Sequence, residues 1–201
     1  MLRAATRSTI RMVVGHELFH PEQGLPTIGI LRRAATAVGW DDVAKLDVDA
    51  DFRAAAVEAS LSAIEDEQVS YAHVLRRMED ALAFQVRYCV PIFGCSASKP
   101  HKRFRVAGLV MQLGRITHAN RTVKNISGIA FHELTMPVYV RVDERYSTIG
   151  LTGLDPLMFV GAVQFETGEL KAFFDALDSG DVEWLVREAI TLNMRIGLIP
   201  T

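Results

Sequence analysis

Two patterns along the chain carry residues able to do chemistry. The first is His16-Glu17-Leu18-Phe19-His20, two imidazoles four residues apart with a carboxylate between them. On a helix that spacing puts both histidines on one face, one turn apart, where they can share a metal ion. A carboxylate beside such a metal can take the proton of a bound water. The second pattern is charge. From residue 81 to residue 132 the chain has eight bases and no acid. The bases are Arg87, Lys99, Lys102, Arg103, Arg105, Arg115, Arg121 and Lys124, with His101, His118 and His132 among them. Clustered cations release counterions from nucleic acid, or settle on anionic lipid head groups.

Over about eight residues, Val13-Val14-Gly15 included, the first pattern resembles the zincin-type zinc metallopeptidases. The resemblance implies His16 and His20 as zinc ligands and Glu17 as the base that activates water. The flanking residues depart from that pattern. Pro21 follows the second histidine and pushes His20 out of the helical region, whereas the zincin helix continues there. No third ligand follows at a recognised spacing. Cys89, Cys95, His101 and His118 are spaced too widely for the usual structural zinc site. We therefore assign no catalytic residue, no metal ligand and no cofactor. A zinc-dependent hydrolase built on residues 16–20 is the alternative function.

The basic run is the leading clue, because its neighbours have the opposite sign. Residues 1–40 sum to +3, residues 41–80 to −7, residues 81–132 to +8 and residues 133–201 to −6. Two uses compete. The block can face an anionic partner, or it can dock on the acidic blocks, within the chain or on a neighbouring copy. The first use predicts a non-enzymatic structural or assembly protein. It would bind RNA before DNA, or an anionic membrane surface, through Lys99, Lys102, Arg103, Arg105, Arg115, Arg121 and Lys124. A viral matrix or nucleocapsid-type subunit fits, as does a subunit of a mitochondrial complex. Alternating blocks also favour a homo-oligomer or membership of a larger complex. Aromatics are sparse in the block, so phosphate contacts are expected to outweigh base stacking.

Composition removes several classes. The chain of 201 residues is long enough for a core without staples, and it reads as a single domain over 1–201. Its two cysteines cannot form a disulfide framework. No apolar run approaches the roughly 20 residues of a membrane-spanning helix. Residues 1–14 hold Arg3, Arg7 and Arg11 and no acid, the composition of a basic arm or a mitochondrial targeting segment. The expected location is intracellular, with the mitochondrion suggested by that segment.

The elements that must position these groups read as α+β. The expected fold is a helical N-terminal half packed on a mostly antiparallel sheet, closing with a short helical pair. Pro26 to Gly39 reads as a first helix, and Asp49 or Asp51 as the cap of a second through Phe52, Ala56, Ala59 and Ile64. Tyr71, Val74, Leu75, Met78 and Leu82 form one helical stripe, and Pro91 with the run 94–100 breaks the chain. Arg103-Phe104-Arg105-Val106 alternates like a strand, with Gly108 marking a bulge. Leu134, Met136, Val138, Val140 and Val142 read as a strand that Pro137 places at an edge or interrupts. Residues 157–165 read as a buried strand. Leu170, Phe173, Phe174 and Leu177, then Val182, Leu185, Val186 and Ala189, make the helical pair. Residues 194–199 read as a last strand.

Overall fold

The computed structural model describes residues 9–15, 18–19, 40–93, 100–142, 145–152 and 159–197. Lys99, Cys95, His16, Glu17, His20 and the helix expected over 26–39 lie outside them. Helices α1 (Trp40–Glu65), α2 (Tyr71–Phe93), α3 (Pro100–Thr122) and α4 (Gly128–Leu134) come first. Strands β1 (Val138–Val142), β2 (Tyr146–Thr152) and β3 (Phe159–Glu166) follow. A 3-10 turn (Thr167–Leu170) leads into α5 (Lys171–Ser179) and α6 (Val182–Arg195). The class is α+β, mostly helical, with an antiparallel sheet in the order β1-β2-β3.

Helix α3 is the centre, packed by α1, α2, α6 and β1. This corrects the strand expected over residues 103–113, and it moves the sheet from an N-terminal helical layer onto α3. The physical reason is burial. Every residue from Val106 to Thr117 is buried. A helix enclosed on all sides has no polar face, so its sequence lacks the 3.6-residue stripe that marks amphipathic helices. Pro100 opens α3 at the first helical position, where a missing N–H costs nothing. Gly108, read as a bulge, is instead where α3 meets β1: a Cβ there would stand 3.0 Å from the Val138 carbonyl oxygen. At Gly114 the approach is tighter, with a Cβ falling 2.7 Å from the Ala189 Cβ of α6 and 2.9 Å from that residue's carbonyl carbon.

The central helix also carries polar side chains, and these finish its neighbours. Gln112 Nε2 donates to the Leu134 carbonyl at 2.8 Å, closing the end of α4. Asn193 Nδ2 of α6 donates to the Met111 carbonyl at 2.9 Å. Ser127 caps α4 by accepting from the Ala130 N–H, and Asp181 caps α6 by accepting from the Trp184 N–H.

Other expectations shift by identifiable causes. Helix α1 begins at Trp40, so Asp49 and Asp51 lie inside it rather than capping it. Both are buried, and both are paired: Asp49 with Arg53 one turn on, Asp51 with Arg105 of α3. Leu75, Met78 and Leu82 bury as the stripe in α2 predicts, whereas Val74 is half-buried and Tyr71, at the first position of the helix, is exposed; α2 also runs past Pro91 to Phe93. A proline in a last turn removes only one hydrogen bond from the ladder. Leu134 ends α4, so the period-two run 134–142 is strand only from Val138. Of the two readings of Pro137 both hold: β1 starts only after it, and β1 is an edge strand. β3 begins at Phe159 but is not buried along its length: Gly161 to Gln164 are exposed and Phe165 is buried. The helical pair is present, with Leu170, Phe173, Phe174, Leu177, Leu185 and Ala189 in the core. Met194 and Arg195 finish α6, because the Ile196 N–H still bonds to the Leu192 carbonyl at 3.0 Å; this replaces the expected last strand over 194–197, and residues 198–199 lie outside the described residues.

Candidate anion-binding groove

Folding splits the basic block in two. Arg103 and Arg105, which strand alternation would put on one face, lie about 200° apart around α3. They reach different acidic blocks. Arg105 forms a two-point contact with Asp51 of α1, Nε to Oδ2 at 2.5 Å and Nη2 to Oδ1 at 2.8 Å, with Asp47 at 3.6 Å. Arg103 reaches Asp178 of α5 at 3.2 Å and lies over the Phe174 ring at 4.7 Å. Both guanidiniums therefore tie α3 to its neighbours.

Arg115 is not at the surface. It is 2% exposed, and its Nη1 donates to the Met136 carbonyl at 3.2 Å between α4 and β1. Burial pulls its pKa down to about 10, and the charge of nearby Glu133 acts in the opposite direction. Of the seven residues expected to contact an anion, these three are engaged inside the fold. Lys99 and the Lys102 side chain lie outside the described residues. Arg121 and Lys124 remain, both exposed, at the carboxyl end of α3 and just beyond it.

Arg121 lines a groove of about 680 Å³ between α2, α3 and α6. Arg87 of α2 and Arg187 of α6 line it too. Its floor is apolar, made by Ala83, Leu113, Val182, Val186 and Ile190. None of the three arginines makes an ion pair among the described residues. Two carboxylates share the lining, Glu79 and Glu183. Glu79 is occupied: Thr117 donates to its Oε1 at 2.8 Å and Asn120 to its Oε2 at 2.6 Å. The groove thus presents three guanidiniums against two carboxylates, one of them held by hydrogen bonds from within.

Each arginine is placed by the burial of its neighbours. Val86 is fully buried in α2, which turns Arg87 outward. Leu185 and Ala189 bury in α6, and Arg187 falls on the opposite side. Arg121 sits in the last turn of α3, where a cation also meets the negative end of the helix dipole. Charge blocks could not find Arg187, because it lies in the acidic stretch 133–201. The usable signal was the α6 stripe, with Glu183 and Arg187 spaced i, i+4 beside Val182 and Val186.

A second cavity, about 350 Å³, opens between α1, α2 and α4 beside Phe52, Met78, Phe131 and Met136. Its wall includes the Asp49–Arg53 ion pair, 2.9 Å. Among the described residues no group of three His, Cys, Asp or Glu side chains could hold a metal ion. Nor is any helix among them long and apolar enough to cross a membrane. No protein-family model matches the chain, and no curated protein or solved structure resembles it significantly.

Proposed function

We propose that the chain is a non-enzymatic assembly protein that binds an anionic partner, single-stranded RNA first, in the groove between α2, α3 and α6. One observation carries the reading: Arg87, Arg121 and Arg187 line one groove from three helices, and among the described residues none of them makes an ion pair. Leaving guanidiniums unpaired while others a few turns away are paired is the arrangement a polyanion site needs. Lys124, exposed three residues beyond Arg121, is a further cation outside the groove lining. The apolar floor offers a surface for bases or a sugar edge, while the arginines hold phosphate.

The test is fluorescence anisotropy of a labelled single-stranded RNA across a salt series. Three phosphate contacts on a single strand predict a loss of affinity on the order of twentyfold between about 50 and 200 mM salt. Arg87→Glu with Arg121→Glu should abolish the binding and flatten the slope. Absence of binding at 50 mM salt sinks the RNA reading, and vesicles of anionic lipid become the next probe. The zinc-hydrolase alternative is separated in the same preparation. Glu17→Gln leaves RNA affinity unchanged if the groove is the functional site, and zinc at one equivalent per chain with hydrolysis lost in that variant would reverse the assignment.

A further inference from the structure

The two edges of the sheet differ. β1 is closed: Val138, Tyr139 and Val140 are 0, 2 and 5% exposed, and α3 lies against them. On β3, Gly161, Ala162, Val163 and Gln164 are exposed in succession. A strand with one face in the core alternates buried and exposed. Val163 is 37% exposed on the face it shares with buried Ile149, so along this stretch even the inward face of β3 is only partly covered. β2 pairs with one side of β3, and among the described residues no strand pairs with the other.

Open edges template pairing, and proteins blunt them with charge, proline or a bulge. From Phe159 to Phe165 the strand reads Phe-Val-Gly-Ala-Val-Gln-Phe, with no charge and no proline. Its one irregularity lies at its start, opposite Leu151 and Thr152; from Gly161 to Glu166 the register is unbroken. The only charge is Glu166, at the far end.

The geometry points to a second copy of this chain as the occupant, with the two β3 strands pairing antiparallel about a two-fold axis at Val163. Charge selects that arrangement. Antiparallel pairing about Val163 sets Gly161 opposite Phe165 and Ala162 opposite Gln164. The two Glu166 side chains then stand at opposite ends, each facing an uncharged residue. In-register parallel pairing would instead set Glu166 against Glu166, which is unfavourable. The two-fold also keeps the inner faces together: Val163 pairs with Ile149 within the chain and would meet the Val163 of the second copy across the axis. Two three-stranded sheets become one of six strands. The groove arginines lie on helices α2, α3 and α6, outside the pairing edge, so each copy brings its own groove to the dimer and doubles the anion contacts.

Sedimentation equilibrium of the full chain over about 1 to 200 µM tests this. The wild-type chain should dimerise without larger species. Val163→Lys and Val163→Glu each place two like charges face to face and should raise the dimer dissociation constant by about tenfold or more. An equimolar mixture of the two variants should recover a mixed dimer, and that recovery also shows that both variants fold. Amide exchange in wild-type residues 161–165 should slow as concentration rises. A monomer at 200 µM, open-ended larger species, or a dimer undiminished by either variant overturns the proposal. So does exchange at 161–165 that is independent of concentration in a dimerising sample.

Discussion

The arginines on α3 and its neighbours have two fates. Arg103, Arg105 and Arg115 are consumed inside the fold, by Asp178, by Asp51 and by the Met136 carbonyl. Arg87, Arg121 and Arg187 line a groove and meet no carboxylate at ion-pair distance among the described residues. The first three come from one dense stretch of the sequence. The second three come from three helices, one of them in an acidic stretch. A run of positive charge along a chain is therefore not a positive patch. Density along the sequence marks where α3 must be neutralised by its neighbours, and the surface cations gather from elements far apart in the chain.

The comparison breaks most severely at Arg115. If that guanidinium is structural, Arg115→Ala leaves a cavity and takes this donor from the partly buried Met136 carbonyl. The expected loss is about 4 kcal/mol of unfolding free energy, read from urea denaturation. Arg115→Met should recover a good part of that loss by restoring volume, since an apolar replacement of a buried cation is often tolerated. An Arg115→Ala chain of unchanged stability and weakened RNA binding would instead return this residue to the surface.

Arg105→Ala comes next, with a loss of about 2–3 kcal/mol. Asp51 is 4% exposed and would be left with a buried charge, whereas Arg105 itself is partly solvated. Binding of RNA per folded molecule should not change. The same pair of measurements inverts for Arg87→Ala with Arg121→Ala: stability moves by less than about 0.5 kcal/mol, and RNA affinity falls. The two double readouts together separate the fates of the arginines, which neither does alone.

Gly114→Ala tests what holds the groove open. Alanine gains about 1 kcal/mol over glycine in helix propensity. Here its Cβ would meet the Ala189 backbone at 2.9 Å, so α6 must move away from α3. The clash is expected to win, for a net loss of about 1–2 kcal/mol. Because α6 carries Arg187 and α3 carries Arg121, the variant should also weaken RNA binding in the folded fraction. A stabilised variant with unchanged affinity would show that the helices approach less closely.

How much of this was readable beforehand follows burial geometry. Helices with one wet face were legible: the α2 stripe at Leu75, Met78 and Leu82, and the α5–α6 pair around Phe173, Phe174, Leu185 and Ala189, lie where their periodicity puts them. The central helix was not, because enclosure on all sides erases periodicity, and the alternation of Arg103 to Val106 then imitates a strand. The edge position of β1 was legible from Pro137. The exposure of β3 was not, since an apolar run is silent about whether a core or another copy covers it. At the site, Arg121 and Lys124 belong to the block singled out by charge, and Arg87 lies at its start. Arg187 required knowledge that α6 lies on α3, which a contact as small as Gly114 against Ala189 decides.

The mildest departure concerns the turn between α1 and α2, where charge is neutralised at the surface rather than in the core. Asp66 accepts from His73 Nε2 at 3.0 Å and from Arg77 Nε at 2.8 Å. Those hydrogen bonds, His73's first and then Arg77's, hold its carboxyl below the ordinary carboxylate value. A folded-state pKa below the unfolded one means that the unfolded chain takes up the proton first as acid is added. The contribution is thus full above the unfolded carboxylate value of about 3.9, and is lost as pH falls through the lowered folded value. Asp66→Asn should therefore lower the urea midpoint at neutral pH and converge with the wild type in acid. Exposed pairs contribute little, so the gap at neutral pH should be the smallest of the set. A gap that persists unchanged into acid would show that the side chain acts through its shape and its hydrogen bonds, and that charge at this turn, unlike charge at Arg105, has no share in holding the helices together.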